Sequence, residues 1–350
     1  MWKPGREKTD IMQTETSQKI AVLERLGAYL GGGGTEEEQE SLERAKQLAY
    51  QHNGWFTPEF INLAISNIRT YFLNRPALEQ WLAQYPGFGQ PAAPKKVGIV
   101  AAGNIPLVGF HDWLTGFLSG HAIRLKLSSK DNILLPHLLQ KVAEWAPEAA
   151  AATSVQEVLK DCDAYIATGS NNSARYFNYY FAKYPHIIRR NRTSAAVLTG
   201  SETPQELEAL ADDVMLYFGL GCRNVTKVYV PEGYDFAPLL KALEKYDYLA
   251  EHHKYKNNYD YNLALYLLNS SPYLTNNSLL LHENESLFSP LSVLHYGFYR
   301  HRGELEEQLK ANPDLQCLVA ADAIPFGQAQ RPSLTDYADG VDTAAFFASL

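Results

Sequence analysis

The chain has 350 residues, of which 46% are hydrophobic, enough for one large core or two smaller ones. Its formal net charge of −8 argues against a nucleic-acid-binding surface, and its three cysteines, an odd and small number, indicate a reducing compartment rather than a disulfide framework. The N-terminus is polar and no apolar run approaches the ~20 residues of a membrane span. We therefore expect a soluble cytoplasmic protein.

The N-terminal region is predicted to be mostly helical after a poorly ordered stretch over residues 1–18. Helices are predicted from Lys19 to Leu30 and from Thr35 to about His52, with a glycine-rich break between them. The pair Thr57-Pro58 has the N-cap and first-position pattern that opens another helix. No residue in this region has recognisable chemistry.

Strands alternate with helices after Lys96, which is typical of a parallel sheet with helices on both faces. Four strands are predicted, at Val97–Ala102, Ala122–Leu127, Asp163–Ala167 and Ser194–Leu198. The capping-box spacing of Thr203 and Glu206 then starts a helix that leads to Cys222.

A second α/β segment follows from Val225 to about Ala321, and the chain ends in a loop-like tail with a short apolar stretch. The predicted division has four parts. They are a helical N-terminal region (1–90), a nucleotide-binding α/β domain (91–200), a catalytic α/β domain (201–322) and a C-terminal tail (323–350).

Cys222 is the candidate nucleophile. It lies in the glycine-rich segment Gly219–Asn224, between a predicted helix and a predicted strand, from which a thiol can reach a cleft. Cys162 and Cys317 lie in apolar surroundings. The alternative is that Cys222 is a small buried residue with no chemical role.

Polar residues lie at the ends of two of the predicted strands. Gly169 and Ser170 form a strand-to-helix turn, where an open α/β sheet directs backbone N–H groups at phosphates. Lys126, with Ser128 and Ser129, offers donors to a ribose or a 2′-phosphate. The alternatives are an ordinary turn and a solvated polar turn.

Asn104 follows the first strand of the sheet, and its side-chain amide is suited to donate to an oxyanion. The alternative is a helix cap. His111, His121 and His186 are candidate bases, although most lone histidines are structural. No pair of them has a metal-ligand spacing with Cys or Asp, so we predict no metal site.

These motifs together resemble the aldehyde dehydrogenase superfamily in their order and spacing, and Phe326-Gly327-Gln328 resembles its late Phe-Gly-Gly motif. The chain more closely resembles the LuxC family of long-chain fatty-acyl-CoA reductases over roughly residues 55–347. The segments that carry this resemblance are Val97–Asp112, Lys126–Asp131, Gly219–Asn224 and Asp336–Thr343.

The resemblance implies an aldehyde-dehydrogenase-like fold, with a Rossmann-like coenzyme domain and an α/β catalytic domain. It implies NADPH-dependent reduction of a fatty acyl thioester, an acyl-CoA or acyl-protein, to the aldehyde. In it Cys222 forms the acyl-enzyme, while Asn104 and the Cys222 backbone N–H hold the oxyanion. Acyl-transferring partner proteins and a homo-oligomeric state are also implied.

Three departures from the superfamily pattern refine this expectation. The Glu that activates hydrolytic water is missing, because no Asp or Glu lies between Ala164 and Gly200, and this favours reduction over hydrolysis. Ser129 stands where many NAD-dependent members have a ribose-binding Glu, which favours NADPH. Glu285, or alternatively Glu283, lies near the position of the Glu that binds the nicotinamide ribose.

Two other functions are weighed against this one. The first is a CoA-acylating aldehyde dehydrogenase that runs the same steps in reverse. The second is a non-catalytic partner in an acyl-transfer complex.

Overall fold

The computed structural model describes residues 5–350, with side chains from Glu15 onward. The chain forms two compact units. The first comprises the chain up to Arg190 together with Ser333–Leu350, and the second comprises Asn191–Pro332. The four-part division predicted from the sequence is a finer division than these two units, and it remains a prediction.

The first unit begins with helices, and its helical N-terminal region agrees with the sequence pattern. They are α1 (Gly5–Leu30), α2 (Glu36–His52), α3 (Pro58–Asn67) and α4 (Arg75–Leu82), with a π-helical turn at Ile68–Phe72. Thr57 caps α3 and Pro58 occupies its first turn, as predicted. Helix α1 starts at Gly5, well before the predicted start at Lys19, and residues 1–4 lie outside the described part.

A five-stranded parallel sheet forms the centre of the first unit. Its strands are β1 (Lys96–Val100), β2 (Ala122–Lys126), β3 (Thr153–Val155), β4 (Ala164–Thr168) and β5 (His186–Arg189). Helices α5 (Phe110–Ser119), α6 (Leu134–Trp145), α7 (Pro147–Ala150) and α8 (Asn171–Phe181) connect them. The spatial order β3-β2-β1-β4-β5 reverses direction between β1 and β4, as in a doubly wound nucleotide-binding sheet.

The second unit contains a six-stranded sheet of order β11-β6-β7-β10-β9-β8. Its strands are β6 (Thr193–Val197), β7 (Val225–Pro231), β8 (Leu274–Thr275), β9 (Leu280–Glu283), β10 (Val293–Tyr299) and β11 (Leu315–Val319), all parallel except for the β8–β9 pair. Its α-helices are α9 (Pro204–Met215), α10 (Ala237–Leu243), α11 (His253–Leu268) and α12 (Arg302–Lys310). Short 3₁₀ turns occur at Leu216–Gly219 and Glu244–Glu251.

The strand predicted at 194–198 exists, but it pairs in the second sheet and not in the five-stranded sheet of the first unit. It forms hydrogen-bonded pairs with β7 and with β11, and β11 follows it by more than one hundred residues in the chain. The Thr203–Glu206 capping box that starts α9 is present as predicted.

The C-terminal residues are not a loop throughout. They contain the 3₁₀ turn Ala338–Gly340 and helix α13 (Thr343–Ala348), and they pack within the first unit. The buried hydroxyl of Tyr337 accepts a hydrogen bond from the Trp81 indole at 2.7 Å and lies 2.7 Å from the Tyr85 hydroxyl. None of the described helices is long and apolar enough to cross a membrane.

Candidate functional site

The carboxyl ends of the parallel strands in the first unit bring together most of the predicted nucleotide-binding residues. Asn104 follows β1, Lys126 ends β2, and Gly169 with Ser170 follows β4. Because β1 lies between β2 and β4, all three loops emerge at the same edge, where the strand order reverses. Open α/β sheets bind ligands at this position.

The turn after β4 is built to present a helix N-terminus. Ser170 caps α8 by accepting a hydrogen bond from the Ser173 N–H at 3.2 Å, and the first turn of α8 contains no acidic residue. A Cβ on Gly169 would lie 2.8 Å from the Ser173 Cβ, so only glycine fits there. The turn is therefore both an ordinary helix start and a suitable site for a phosphate.

A buried ion pair supports this turn. Arg189 at the end of β5 binds the Asp112 carboxylate of α5 at 2.6 Å and the Thr343 hydroxyl of α13 at 2.8 Å. It also reaches the hydroxyl of Thr168 at 3.4 Å, and its carbonyl accepts the Gly169 N–H at 3.2 Å. The sequence analysis assigned no role to Arg189 or Asp112, whose contact only the tertiary structure brings about.

The loop after β2 is exposed, and it contacts the N-terminal helical region through His52. Lys126 donates to the Glu157 carbonyl, Ser128 is half-buried and Ser129 is exposed. The His52 ring at the end of α2 lies 2.6 Å from the Ser129 carbonyl. The side chains expected to meet a ribose phosphate are thus presented on a fixed backbone.

The segment before Cys222 has an unusual backbone. Tyr217, Phe218 and Gly219 have φ angles of 55°, 58° and 73°, so three successive residues are left-handed. This conformation costs about 1–2 kcal/mol for each residue other than glycine. Tyr217 and Phe218 are both buried, and their packing holds them there. Cys222 itself is half-buried, which argues against the alternative of an inert core residue.

Asn224 holds this segment in place. Its side chain is fully buried; it accepts the Gly221 N–H at 2.8 Å and donates to the carbonyls of Asp213, Val214 and Leu216 at 2.9–3.3 Å. These carbonyls belong to the end of α9, where no further helical turn satisfies them. Asn224 was quoted in the motif without a role, because its partners are defined only by the folded loop.

Further contacts anchor the cysteine within the second unit. The Ser194 hydroxyl donates to the Cys222 carbonyl at 3.1 Å. The buried Asp213 carboxylate accepts the main-chain N–H groups of Gly327 at 2.6 Å and Ala329 at 2.9 Å. Burial raises the pKa of Asp213 to about 6 against the lowering effect of these two hydrogen bonds. The Phe326–Gln328 motif is therefore tied to the helix that delivers Cys222.

The Glu285 segment is also held through its main chain. The successive carbonyls of residues 285–287 lie 2.8 Å from Lys227 Nζ, 3.0 Å from the His295 ring and 2.7 Å from the Thr226 hydroxyl. Burial lowers the pKa of Lys227. The side chains of Glu285 and of the alternative, Glu283, are both exposed.

The histidines considered as bases have structural partners. A ring nitrogen of His111, of His121 and of His186 lies 2.8–3.0 Å from a main-chain carbonyl oxygen. Burial lowers the pKa of His111 and of His121. No group of three or more His, Cys, Asp or Glu side chains within residues 15–350 is arranged to hold a metal ion.

The predicted site residues fall into two groups. Asn104, Lys126, Ser128, Ser129, Gly169 and Ser170 belong to the first unit, and Cys222 and Glu285 belong to the second. The Rossmann-like sheet of the first unit and the α/β second unit with a half-buried Cys222 are what we expected of the aldehyde dehydrogenase fold.

Comparisons with known proteins agree with this fold. Solved structures with the same fold include aldehyde dehydrogenase 21 of Physcomitrella patens in complex with succinate (TM-score 0.63, 13% identity, 87% of this chain and 73% of that chain). The NAD+ complex of an aldehyde dehydrogenase from Mycobacterium tuberculosis is also similar (TM-score 0.61, 14% identity, 88% of this chain and 74% of that chain). So is the NAD+ complex of an aldehyde dehydrogenase from Bacillus cereus (TM-score 0.59, 14% identity, 87% of this chain and 71% of that chain). No curated protein sequence matches this chain significantly.

The family model for acyl-CoA reductase (LuxC) matches residues 65–245, just over half of the chain. The chain belongs to this family, and it is an oxidoreductase that acts on acyl or aldehyde groups. The resemblance found in the sequence is thereby confirmed.

Proposed function

We propose that this protein reduces a fatty acyl thioester, carried by CoA or by a protein, to the fatty aldehyde with NADPH. The observation that carries the proposal is the half-buried Cys222 thiol, which follows a left-handed loop anchored by Asn224 and Ser194. Strained backbone that the surrounding structure holds in place is typical of a functional site. Membership of the acyl-CoA reductase family supplies the reaction class.

The residues of the first unit fit a dinucleotide. The capped N-terminus of α8 lies at the switch point of the sheet without a nearby first-turn carboxylate, which suits a pyrophosphate. Lys126, Ser128 and Ser129 would hold the adenosine ribose and its 2′-phosphate, since a carboxylate in place of Ser129 would repel that phosphate. Glu285 would bind the nicotinamide ribose. When bound, NADPH supplies the hydride for reduction of the thioester.

The chemistry of the chain's own residues starts at Cys222. Its thiolate attacks the acyl carbonyl carbon, and the bond from that carbon to the donor sulfur breaks, so that the donor leaves as a thiol after it takes up a proton. The Asn104 amide and the Cys222 backbone N–H donate to the oxyanion that forms on the carbonyl oxygen. After reduction the carbon–sulfur bond to Cys222 breaks, the aldehyde leaves and the thiolate is restored.

The absence of a carboxylate from residues 164–200 supports the reductive direction. Without a carboxylate at the position where the superfamily has its general base, we expect water to attack the acyl-cysteine slowly, so that the intermediate persists until hydride arrives. The test is incubation of the protein with aldehyde and NADP. Rapid production of free acid would contradict this assignment.

Intact-protein mass spectrometry tests the nucleophile. We expect the mass of one acyl group on the wild type after incubation with acyl-CoA, and its removal after NADPH is added. Cys222→Ser should remain unmodified. Cys162→Ala is the matched control, because Cys162 is buried, its pKa is raised by burial, and its loss should leave acylation unchanged.

Steady-state rates, together with the acylation experiment, separate the other two functions. A CoA-acylating aldehyde dehydrogenase would show a faster steady-state rate from aldehyde, CoA and NADP than from acyl-CoA and NADPH. A non-catalytic partner would show no acyl-Cys222, or full activity in Cys222→Ser.

A further inference from the structure

Asp131 is a buried carboxylate that the proposed mechanism does not use. It lies in the loop after β2, with 6% of its surface exposed. Its Oδ2 accepts a hydrogen bond from the main-chain N–H of Leu107 at 2.8 Å. Its other oxygen, Oδ1, is buried and makes no hydrogen bond among the described residues. Burial of a carboxyl group with one oxygen unpaired costs folding free energy, and such groups are rare in native structures. A buried carboxyl of this kind is therefore a candidate for a functional role.

The Leu107 N–H belongs to the loop that carries Asn104. Leu107 is left-handed, with φ of 60°, and its side chain is buried. Its carbonyl accepts the Phe110 N–H at 2.9 Å, where α5 begins. The structure therefore holds this loop in a backbone conformation that a leucine does not favour by itself.

The same carboxylate joins the two loops at the carboxyl edge of the sheet. A Cβ on Gly103 would lie 2.6 Å from the Ser128 Cβ and 3.3 Å from the Asp131 Cβ, so the loops after β1 and β2 are in close contact. The Asp131 N–H donates to the Ser128 carbonyl at 3.0 Å, which fixes the carboxyl group relative to its own loop.

We propose that Asp131 is a positioning residue that holds the Leu107 N–H and thereby places the Asn104 amide to meet the acyl oxyanion. This inference rests on the proposed function. Asp131 touches neither substrate nor cofactor in this assignment. It acts through the backbone between Asn104 and Leu107, whose conformation it stabilises by accepting the Leu107 N–H.

The protonation state of Asp131 adds a measurable signature. Burial raises the pKa of Asp131 to about 7, and the hydrogen bond from Leu107 opposes the rise. The ionisable side chains on the adjoining elements are those of His52, His111, Asp112, Lys126 and Lys130. None of them contributes to this shift. The acceptor of the Leu107 N–H is therefore the neutral carboxyl below about pH 7 and the carboxylate above it, and burial disfavours the carboxylate form.

Hydrogen exchange and kinetics of Asp131→Ala and Asp131→Asn test the proposal. Alanine removes the acceptor, so the Leu107 amide should exchange about tenfold faster or more. The kcat with acyl-CoA should fall about 10- to 100-fold with little change in KM, because a misplaced oxyanion donor affects the transition state. Asparagine keeps an acceptor and should restore both protection and most of kcat. The ratio of wild-type kcat to that of Asp131→Asn should change across pH 7, because Asp131 titrates there, asparagine does not, and effects of Cys222 ionisation cancel in the ratio.

Asp163→Ala is the matched control. The exposed Asp163 likewise accepts a main-chain N–H, that of Lys96 at 2.7 Å, but at the opposite end of β1. Its replacement should leave exchange at Leu107 and kcat unchanged. Unaltered Leu107 protection and kcat in Asp131→Ala would overturn the proposal, as would a loss of kcat that Asp131→Asn does not restore. Exchange at Leu107 is measured without substrate, so a wild type that fails to acylate would refute the proposed function separately.

Discussion

Replacement of Asn224 by alanine should uncouple Cys222 from its anchoring loop. The substitution removes the acceptor of the Gly221 N–H and the donor to three carbonyls at the end of α9. The Asn224 side chain has no exposed surface, so water does not readily take over its hydrogen bonds to the Gly221 N–H and the three carbonyls. The left-handed residues Tyr217 and Phe218 then keep their own packing but lose the hydrogen bonds that fix the residues on either side, at the Leu216 carbonyl and the Gly221 N–H.

The magnitude follows from the hydrogen bonds. An amide can satisfy about three partners here, and each net hydrogen bond contributes about 1 kcal/mol, so Asn224→Ala should lose about 3 kcal/mol of unfolding free energy. Relaxation of Tyr217 and Phe218 would recover about 1–2 kcal/mol for each residue that leaves the left-handed region. Release of this backbone strain favours a different conformation of the loop before Cys222 in the folded variant. The rate of Cys222 acylation should therefore fall at least tenfold.

The assay combines urea unfolding with the rate of Cys222 acylation by acyl-CoA, followed by mass spectrometry. Asn262→Ala is the matched control, because Asn262 is a buried asparagine of the same unit that donates to the carbonyls of Asn258 and Leu291, each at 2.9 Å. It should lose about 2 kcal/mol of stability and keep the wild-type acylation rate. Equal acylation rates in the two variants would refute the role assigned to Asn224.

Two further predictions concern the cofactor and the pH dependence of stability. Ser129→Glu should lower kcat/KM for NADPH by about 100-fold and leave that for NADH within a few fold, because a carboxylate repels the 2′-phosphate; an equal loss with both cofactors would contradict this placement of the 2′-phosphate. Burial raises the pKa of Asp213 from 3.8 to about 6, so its contribution to stability is complete below pH 3.8 and is lost as the pH rises through 6. The unfolding free energy of the wild type relative to Asp213→Asn should therefore fall by up to about 3 kcal/mol between pH 4 and pH 7. Parallel pH curves for the two proteins would show that Asp213 does not titrate as described.

The sequence alone was sufficient for features that depend on neighbouring residues. Caps at Thr57 and Thr203, the parallel strands β1, β2 and β4, and the family itself follow from patterns within short segments. The position of Cys222 at a glycine-rich junction was also visible in the order of residues, whereas its half-buried state came from the structure. Local sequence determines these features because capping and strand alternation act over a few positions.

Tertiary structure decided what depends on distant partners. The strand at 193–197 pairs with β7 and β11 and so belongs to the second sheet. No local sequence pattern specifies these partner strands. The return of Tyr337 to Trp81, and the burial of Asp131 beneath Leu107, likewise join residues far apart in the chain. Short-range periodicity shows which face of a segment is apolar, but only the packed fold determines which buried polar group meets which partner.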